Sequence, residues 1–262
     1  MPLDLPGPVW VVVPTYNERE NLAPLVRAVR SELDEVAPDH RVLIVDDSSP
    51  DGTGEVADEL AGADSRVEVL HRPDKRGLGP AYIAGFQHAL EAGAELIVEM
   101  DADFSHDPSY LGPMLEAACE ADLVLGSRYV HGGGVRNWGL ARRIVSRGGS
   151  LYARAMLGVP VKDLTGGFKC FHREVLEAID LSRVRAQGYA FQVELTYRAL
   201  QMGFRVVEMP IVFTERRAGQ SKMTRRIVLE AAWMVPALRT SPAPARGISR
   251  LSVRTFDRAE RG

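Results

Sequence analysis

Short apolar runs rich in β-branched residues alternate with longer amphipathic segments along the first half of the chain. Five runs have the length and composition of buried strands: 9–13, 42–45, 67–70, 96–100 and 123–125. Between them, apolar residues recur at helical spacing over 21–36 and 77–90. This alternation predicts an α/β fold with a mostly parallel sheet and helices on both of its faces.

The rest of the chain predicts a smaller extension. A further pair of strands is expected at 205–207 and 211–213, followed by a basic loop and an apolar helix. At 262 residues and 45% hydrophobic composition, the chain suits one large domain, which we place at residues 1–222. Residues 223–239 form the predicted apolar helix, and the Pro, Ser and Arg content of residues 240–262 predicts a mobile basic tail.

The apolar stretch 227–238 is too short to cross a bilayer, which takes about 20 residues. Arg225, Arg226 and Arg239 flank it and Trp233 lies within it, a combination typical of a helix lying in the membrane interface. A core helix packed on the sheet is the alternative. The chain also starts without a basic segment followed by a long apolar one, so we expect no signal peptide.

Charge and cysteine content restrict the function classes. The formal net charge is -3 and the isoelectric point is about 6.1, which does not fit a general nucleic-acid binder. Cys119 and Cys170 are far apart in sequence, which argues against a disulfide framework or a zinc site. We therefore expect a protein of the reducing cytoplasm.

Polar residues directly after the predicted strands are candidates for a binding site, because ligands of open α/β sheets bind at the carboxyl ends of the strands. Asp101 and Asp103 follow the strand at 96–100, which is apolar apart from Glu99. Two carboxylates on one loop suit Mg²⁺ or Mn²⁺, with diphosphate oxygens and water completing the coordination. A solvated acidic turn is the alternative.

Two other strand ends carry polar residues. Residues 14–18, Pro-Thr-Tyr-Asn-Glu, provide an aromatic ring, an amide and a carboxylate for a nucleotide, or else a cap for the following helix. At the second strand end, Asp47 is a candidate ligand of a base or ribose. Residues 49–53 are typical of a turn in which Thr53 caps a helix.

Basic residues supply the complementary charge. Arg128 follows the strand at 123–125, and its planar guanidinium suits phosphate recognition. Arg142, Ser146 and the neighbouring arginines Arg143 and Arg147 recur at helical spacing. This stripe is either a phosphate site or a solvated helix face.

The chain resembles glycosyltransferase family 2, and within it the polyprenol-phosphate and dolichol-phosphate mannose synthases, over residues 9–225. The motifs that carry the resemblance are V-V-V-P-T-Y-N-E from Val11, V-D-D-S-S-P-D-G-T from Val45, M-D-A-D-F-S-H-D-P from Met100, G-S-R-Y from Gly126, D-L-T-G-G-F-K from Asp163 and G-Q-S-K-M from Gly219. They occur in the family's order. The resemblance implies a GT-A-type, Rossmann-like nucleotide-sugar fold.

The resemblance also implies roles for individual residues. The guanosine part of GDP-mannose would be held by Pro14, Tyr16, Glu18, Val45 and Asp47. Asp101 and Asp103 would bind the divalent ion, with Ala102 touching the donor, and Ser105 replaces a glutamine that some relatives use as a further metal ligand. The expected phosphate ligands are Arg128, Arg216 and Lys222 for the donor side, and Arg142 and Ser146 for the acceptor phosphate.

A few motif residues keep two interpretations. Asp163 either contacts the sugar hydroxyls or belongs to a glycine-rich turn, and Gln192 and Glu194 either contact the sugar or lie on an ordinary helix surface. His106 completes a D-x-D-x-x-H spacing, so it either is a third metal ligand, supports the Asp101 loop or caps a helix.

The substrates implied by the resemblance indicate a mechanism. The acceptor is a polyprenyl phosphate, which is already a nucleophile near neutral pH and needs no general base. We expect inverting transfer of mannose, with Arg128, Asp103, Arg142, Ser146 and Lys222 as the catalytic set. Glucose transfer from UDP-glucose is the alternative. The lipid acceptor predicts peripheral association with the cytoplasmic face of a membrane, and relatives that borrow membrane spans imply a possible membrane-protein partner.

Overall fold

A computed structural model describes residues 2–184, 188–214, 234–239 and 253–256. Ten strands are present in these ranges: β1 Val9–Thr15, β2 His40–Asp46, β3 Val67–His71, β4 Leu96–Glu99, β5 Leu123–Ser127, β6 Gly134–Arg136, β7 Lys169–His172, β8 Val206–Pro210, β9 Val212–Thr214 and β10 Val253–Thr255. The α-helices are α1 Arg19–Val36, α2 Thr53–Ala63, α3 Leu78–Glu91, α4 Leu111–Ala118, α5 Leu140–Leu157, α6 Arg173–Ile179 and α7 Gly188–Gln201. Short 3-10 turns occupy Pro108–Tyr110 and Leu181–Arg183.

Eight strands form the main sheet, in the order β10-β8-β5-β7-β4-β1-β2-β3. All neighbours are parallel except β7, which runs antiparallel to both β4 and β5. The chain moves outward from β1 through β2 to β3 and then returns to place β4 on the other side of β1. The strand order therefore reverses between β1 and β4, where open α/β sheets bind their ligands.

Alternate side chains of the central strands enter two separate cores. Trp10 and Val12 face one core with α3 and α7, whereas Val9, Val11 and Val13 face the other with α1 and α4. Nearly every residue of β1, β2 and β4 is buried, because helices cover both faces of the sheet. The predicted α/β architecture is confirmed.

Several local details differ from the sequence-based expectations. Helix α1 begins at Arg19, two residues before the predicted start, and β7 is a strand that the sequence pattern did not predict. The late strands β8 and β9 do not pair with each other. Strand β8 joins the main sheet beside β5, and β9 pairs with β6 in a separate two-stranded sheet.

The C-terminal extension is described only in part. Residues 234–239 are helical, and Val235 and Leu238 are buried in the core, which favours the core-helix alternative for this end of the segment. The predicted mobile tail contains strand β10, which pairs with β8 while Phe256 enters the second core. Within the described ranges, no helix is both long and apolar enough to span a bilayer.

Candidate active site

The polar loops after β1, β2 and β4 meet at one edge of the sheet, because these three strands are parallel neighbours. The Asp47 backbone N–H donates to the Thr15 carbonyl, and the Met100 N–H donates to the Val12 carbonyl. Each loop also contains a non-glycine residue with positive φ: Asn17 at 59°, Ser48 at 53° and Phe104 at 59°. Such a conformation is unfavourable for an ordinary residue and is often found at functional sites.

Hydrogen bonds between the first two loops fix their relative position. The Asn17 N–H donates to Ser49 Oγ at 3.0 Å, and the Glu18 N–H donates to Thr53 Oγ1 at 2.9 Å. The Thr53 hydroxyl donates in turn to the Asp51 carboxylate. Thr53 is thus the first residue of α2 rather than its cap, so the predicted capping role of Thr53 is wrong.

The residues expected to hold the nucleoside lie along this edge, but they differ in which of their atoms are accessible to a ligand. Lys75 Nζ sits 3.4 Å from the centre of the Tyr16 ring, and Arg72 forms an ion pair with the buried Asp47. Burial raises the pKa of Asp47 above its ordinary value in spite of Arg72. The Val45 side chain belongs to the core, which leaves only its backbone for a ligand.

The remaining two members of that set lie at the ends of their elements. Pro14 is half-buried in β1, beside Val45 in the parallel pairing. Glu18 precedes α1 without capping it through its side chain, and its Oε2 accepts a hydrogen bond from Asn21 Nδ2 at 2.9 Å. Of the two predicted caps, Glu18 occupies the N-cap position of α1 and accepts the first helical hydrogen bonds through its backbone carbonyl, whereas the Asn17 alternative is wrong.

The Asp101–Asp103 loop is held from several sides. Tyr82 on α3 donates its hydroxyl to Asp101 Oδ1 at 2.9 Å, and the Ser105 N–H donates to Asp103 Oδ1 at 3.0 Å. The Asp101 N–H donates to His106 Nδ1 at 3.1 Å, so this ring nitrogen must be unprotonated. Burial lowers the pKa of His106, which favours the same neutral ring. Of the roles considered for His106, support of the loop fits these contacts.

The donor set of this loop fits a hard divalent cation. It combines the carboxylates of Asp101 and Asp103 with the buried Ser105 hydroxyl, for which the described residues provide no hydrogen-bond partner. Ala102 lies between the carboxylates and is itself buried. In the described part of the chain, no cluster of three or more His, Cys, Asp or Glu side chains suits a metal. Mg²⁺ and Mn²⁺ accept such a sparse protein set because substrate phosphates and water supply the other oxygens.

A buried polar network lies behind the loop. Gln192 on α7 donates its amide to Glu99 Oε1, and Lys169 Nζ on β7 donates to the Gln192 backbone carbonyl at 2.9 Å and to its Oε1. Burial raises the pKa of Glu99 and lowers that of Lys169. Gln192 and Glu194 are both buried, so their interpretation as ordinary helix surface is wrong.

Arg128 is paired with Asp163 inside the protein. Its Nε and Nη2 donate to the two carboxylate oxygens of Asp163, each at 2.7 Å, and its backbone N–H donates to the same carboxylate at 3.0 Å. The exposed fractions of these side chains are 4% and 0%. Burial alone would raise the pKa of Asp163, but the Arg128 charge and hydrogen bonds hold it below its ordinary value. These contacts favour Asp163 as the residue that orients Arg128 over a direct contact to sugar.

A second buried carboxylate holds this loop in turn. Glu208 on β8 accepts hydrogen bonds from the backbone N–H groups of Lys162 and Asp163, both at 2.9 Å, and from Ser127 Oγ at 2.7 Å. Arg128 is consequently fixed by a chain of contacts that runs from β8 through the 162–163 turn. A guanidinium held in this way is preorganised to meet an anion.

Arg142 and Ser146 lie close to Arg128 through a group of aromatic rings. The Arg142 guanidinium carbon is 4.3 Å from the centre of the Trp138 ring, and that of Arg128 is 5.5 Å from the same ring. The Tyr129 hydroxyl donates a hydrogen bond to Ser146 Oγ at 2.8 Å. The structure thus brings Arg128, in the loop after β5, together with Arg142 and Ser146 of α5. Arg216 and Lys222 lie outside the described residues.

The acidic and basic halves of the site are joined by His106. Its ring stacks on Phe168 at 4.9 Å and meets Phe213 edge-on at 5.4 Å, while Phe213 lies 5.6 Å from the Arg128 guanidinium. This chain of contacts connects the Asp101 loop to Arg128. None of these aromatic partners was identified from sequence, because their contacts join residues that are distant along the chain.

A mostly parallel sheet with an acidic loop at its switch point and arginines across from it defines a nucleotide-sugar glycosyltransferase of the GT-A type. The chain belongs to glycosyl transferase family 2, whose sequence profile matches residues 10–180. It is 50% identical to a polyprenol monophosphomannose synthase of Mycolicibacterium smegmatis, over 92% of this chain and 91% of that protein. It is also 50% identical to an undecaprenyl-phosphate mannosyltransferase of Micrococcus luteus, over 85% of this chain and 90% of that protein.

Solved structures share the fold at much lower sequence identity. Glucosyl-3-phosphoglycerate synthase from Mycobacterium tuberculosis, in complex with Mn²⁺, uridine-diphosphate-glucose and phosphoglyceric acid, superposes with a TM-score of 0.65. The two chains are 17% identical, with 90% of this chain and 81% of that chain covered. This likeness confirms the GT-A-like fold.

Proposed function

We propose that the protein transfers mannose from GDP-mannose to a polyprenyl phosphate with inversion, giving polyprenyl-phosphate β-mannose. The observation that carries the proposal is the 50% identity, over most of the chain, to two enzymes named for mannosyl transfer to polyprenyl phosphates. The donor is inferred from the resemblance to the polyprenol-phosphate mannose synthases, in which the G-Q-S-K-M segment from Gly219 favours mannose. The lipid acceptor supports a place at the cytoplasmic face of a membrane, and the same proposal includes a membrane-protein partner.

The donor would bind across the switch point. Tyr16, Glu18 and Asp47 lie on two loops that hydrogen bonds hold together, which suits recognition of a base and ribose by a rigid edge. Asp101 and Asp103 would hold Mg²⁺ or Mn²⁺, which when bound neutralises charge on the donor diphosphate. Tyr82 and the Ser105 N–H orient these carboxylates before the donor arrives.

The acceptor phosphate would meet Arg142 and Ser146, with Arg128 between it and the donor. A phosphate monoester has a second pKa of about 6, so it is mostly dianionic at neutral pH and attacks without a base. One of its oxygens bonds to the anomeric carbon as the bond from that carbon to the diphosphate breaks and GDP departs. Arg128 and Arg142 offset the repulsion between the two anions and align the attack, and Arg216 and Lys222 complete this proposed set.

A donor competition tests the proposal. Purified protein is incubated with a short polyprenyl phosphate, Mg²⁺ or Mn²⁺, and either labelled GDP-mannose or labelled UDP-glucose, and label in the lipid phase is counted. We expect label from GDP-mannose alone. Label from UDP-glucose alone would replace this proposal with the glucosyltransferase alternative.

A further inference from the structure

Helix α5 exposes an apolar face to solvent. Among the described residues, six large hydrophobic side chains are exposed, and five of them lie on this helix: Leu140, Ile144, Val145, Leu151 and Tyr152. Leu140, Ile144 and Leu151 are the most exposed, at 75%, 64% and 64%. At about 100° per residue, these three fall within about 40° of one another around the helix axis. They form a continuous stripe on one side of α5.

The same helix carries an unbalanced positive charge. It contains four arginines and no acidic residue, in a chain whose net charge is -3. Arg143, Arg147 and Arg154 are exposed and lie on one flank of the apolar stripe, whereas Ser150, Ala153 and Leu157 face the protein. An apolar face flanked by arginines is the pattern of a helix that lies in the interface of an anionic membrane.

We infer that the exposed face of α5, formed by Leu140, Ile144 and Leu151 with Arg143, Arg147 and Arg154, docks on the surface of an anionic lipid bilayer. Charge complementarity identifies the bilayer as the binding partner, because anionic headgroups would pair with the arginines. The apolar stripe would contact the acyl chains beneath the headgroups. This surface lies apart from residues 223–239, the segment that the sequence predicted to lie in the membrane interface and whose described end packs in the core.

The inference rests on the proposed function and deepens it. Arg142 and Ser146, the proposed ligands of the acceptor phosphate, lie on the inner side of the same helix, one turn apart. A bilayer against the outer side would therefore place lipid phosphates within about the width of one helix, 10–12 Å, of the site. The docked helix shortens the path of an acceptor whose tail stays in the membrane.

Vesicle cosedimentation tests the docking without any sugar donor. Wild-type protein is mixed with vesicles of phosphatidylcholine, with or without phosphatidylglycerol, and the bound fraction is measured at low and high salt. We expect binding to the anionic vesicles that weakens with salt. Replacing Ile144 and Leu151 together by Asn should reduce partitioning about thirty-fold, since two apolar side chains no longer leave water. Leu78→Asn, at the exposed hydrophobic outside α5, is the matched control and should bind as wild type.

The arginines are tested separately. The triple variant Arg143→Gln, Arg147→Gln, Arg154→Gln should lose binding to anionic vesicles by roughly five-fold per arginine at low salt. The same change at three exposed arginines elsewhere, Arg76, Arg183 and Arg205, is the control for net charge and should have a much smaller effect.

Two results would overturn the inference. One is wild-type vesicle binding by the Ile144→Asn, Leu151→Asn variant with a native melting curve. The other is strong hydrogen-exchange protection of the outer side of α5 before vesicles are added, or a wild-type dimer that becomes monomeric in this variant, because either would show that protein already covers the face.

An activity assay separates failure of this inference from failure of the proposed function. The variant should transfer sugar normally to a short, water-soluble acceptor phosphate, whereas an enzyme inactive on that acceptor in wild-type form contradicts the proposed function itself.

Discussion

The Arg128–Asp163 pair makes a quantitative prediction about stability. The substitution Asp163→Asn keeps the shape of the side chain but removes its charge, leaving the Arg128 guanidinium buried without its carboxylate. Breaking a buried ion pair in this way costs about 3–5 kcal/mol, against a total unfolding free energy of about 5–15 kcal/mol. At about 2–4 °C per kcal/mol, the melting temperature should fall by about 6–20 °C.

Thermal unfolding followed by circular dichroism measures this change. Asp74→Asn is the matched control, because Asp74 pairs with Arg76 in an exposed ion pair whose contribution should be at most about 1 kcal/mol. A melting temperature for Asp163→Asn equal to that of the control would refute the account of Arg128 as a preorganised, charge-paired side chain. The same pair explains why Arg128→Ala is a poor probe of phosphate binding, since it would strand the buried Asp163.

Three further predictions concern stability away from this pair. Lys169→Met removes the buried donor to the Gln192 carbonyl and amide oxygens and should lower the unfolding free energy by about 1–3 kcal/mol in urea denaturation. Gly85→Ala places a Cβ against the side chains of Val12 and Val45 and should lower the unfolding free energy by about 1–3 kcal/mol. In Gly149→Ala the added Cβ meets open space on a helix, so this variant should be more stable by roughly 0.5–1 kcal/mol. Equal effects of the two substitutions would contradict the packing of α3 on the sheet. Burial lowers the pKa of His40 below its ordinary value of 6.5, so at acidic pH the unfolded chain binds more protons than the folded one and the unfolding free energy falls as the pH drops below about 6.5. This loss of stability at acidic pH should be smaller in His40→Gln. An unchanged pH dependence in that variant would exclude His40 as its source.

The elements that were predictable from the sequence are those whose hydrophobic pattern is visible among neighbouring residues. Strands β1, β2 and β4 contain continuous apolar runs because both of their faces are covered. The position of the acidic loop in the site was predictable because it directly follows one of these runs. Strand β7 was not predictable in this way. It has four residues and starts with a buried lysine, whose charge is tolerated only because α7 and β4 supply partners.

The contacts that shape the site are mostly long-range. Glu99 stood out in the sequence as a charge within an apolar strand, but its partner Gln192 lies 93 residues away. Arg128 and Asp163 are 35 residues apart, and neither gives a local sign of the other. Strand β10 has only three residues and is ordered by pairing with β8, which composition does not reveal.

The central claim is that the Asp101–Asp103 loop supports metal-dependent transfer of mannose to a lipid phosphate. The most direct measurement is the amount of labelled lipid formed from GDP-mannose by wild type and by Asp103→Asn, with Mg²⁺ or Mn²⁺ or with a chelator. Polyprenyl phosphate and the matching polyprenol, which lacks the phosphate, serve as the two acceptors. The account predicts labelled product only from wild type with the divalent ion and the phosphorylated acceptor. Transfer that survives both the chelator and Asp103→Asn, or that proceeds equally to the free polyprenol, would contradict it.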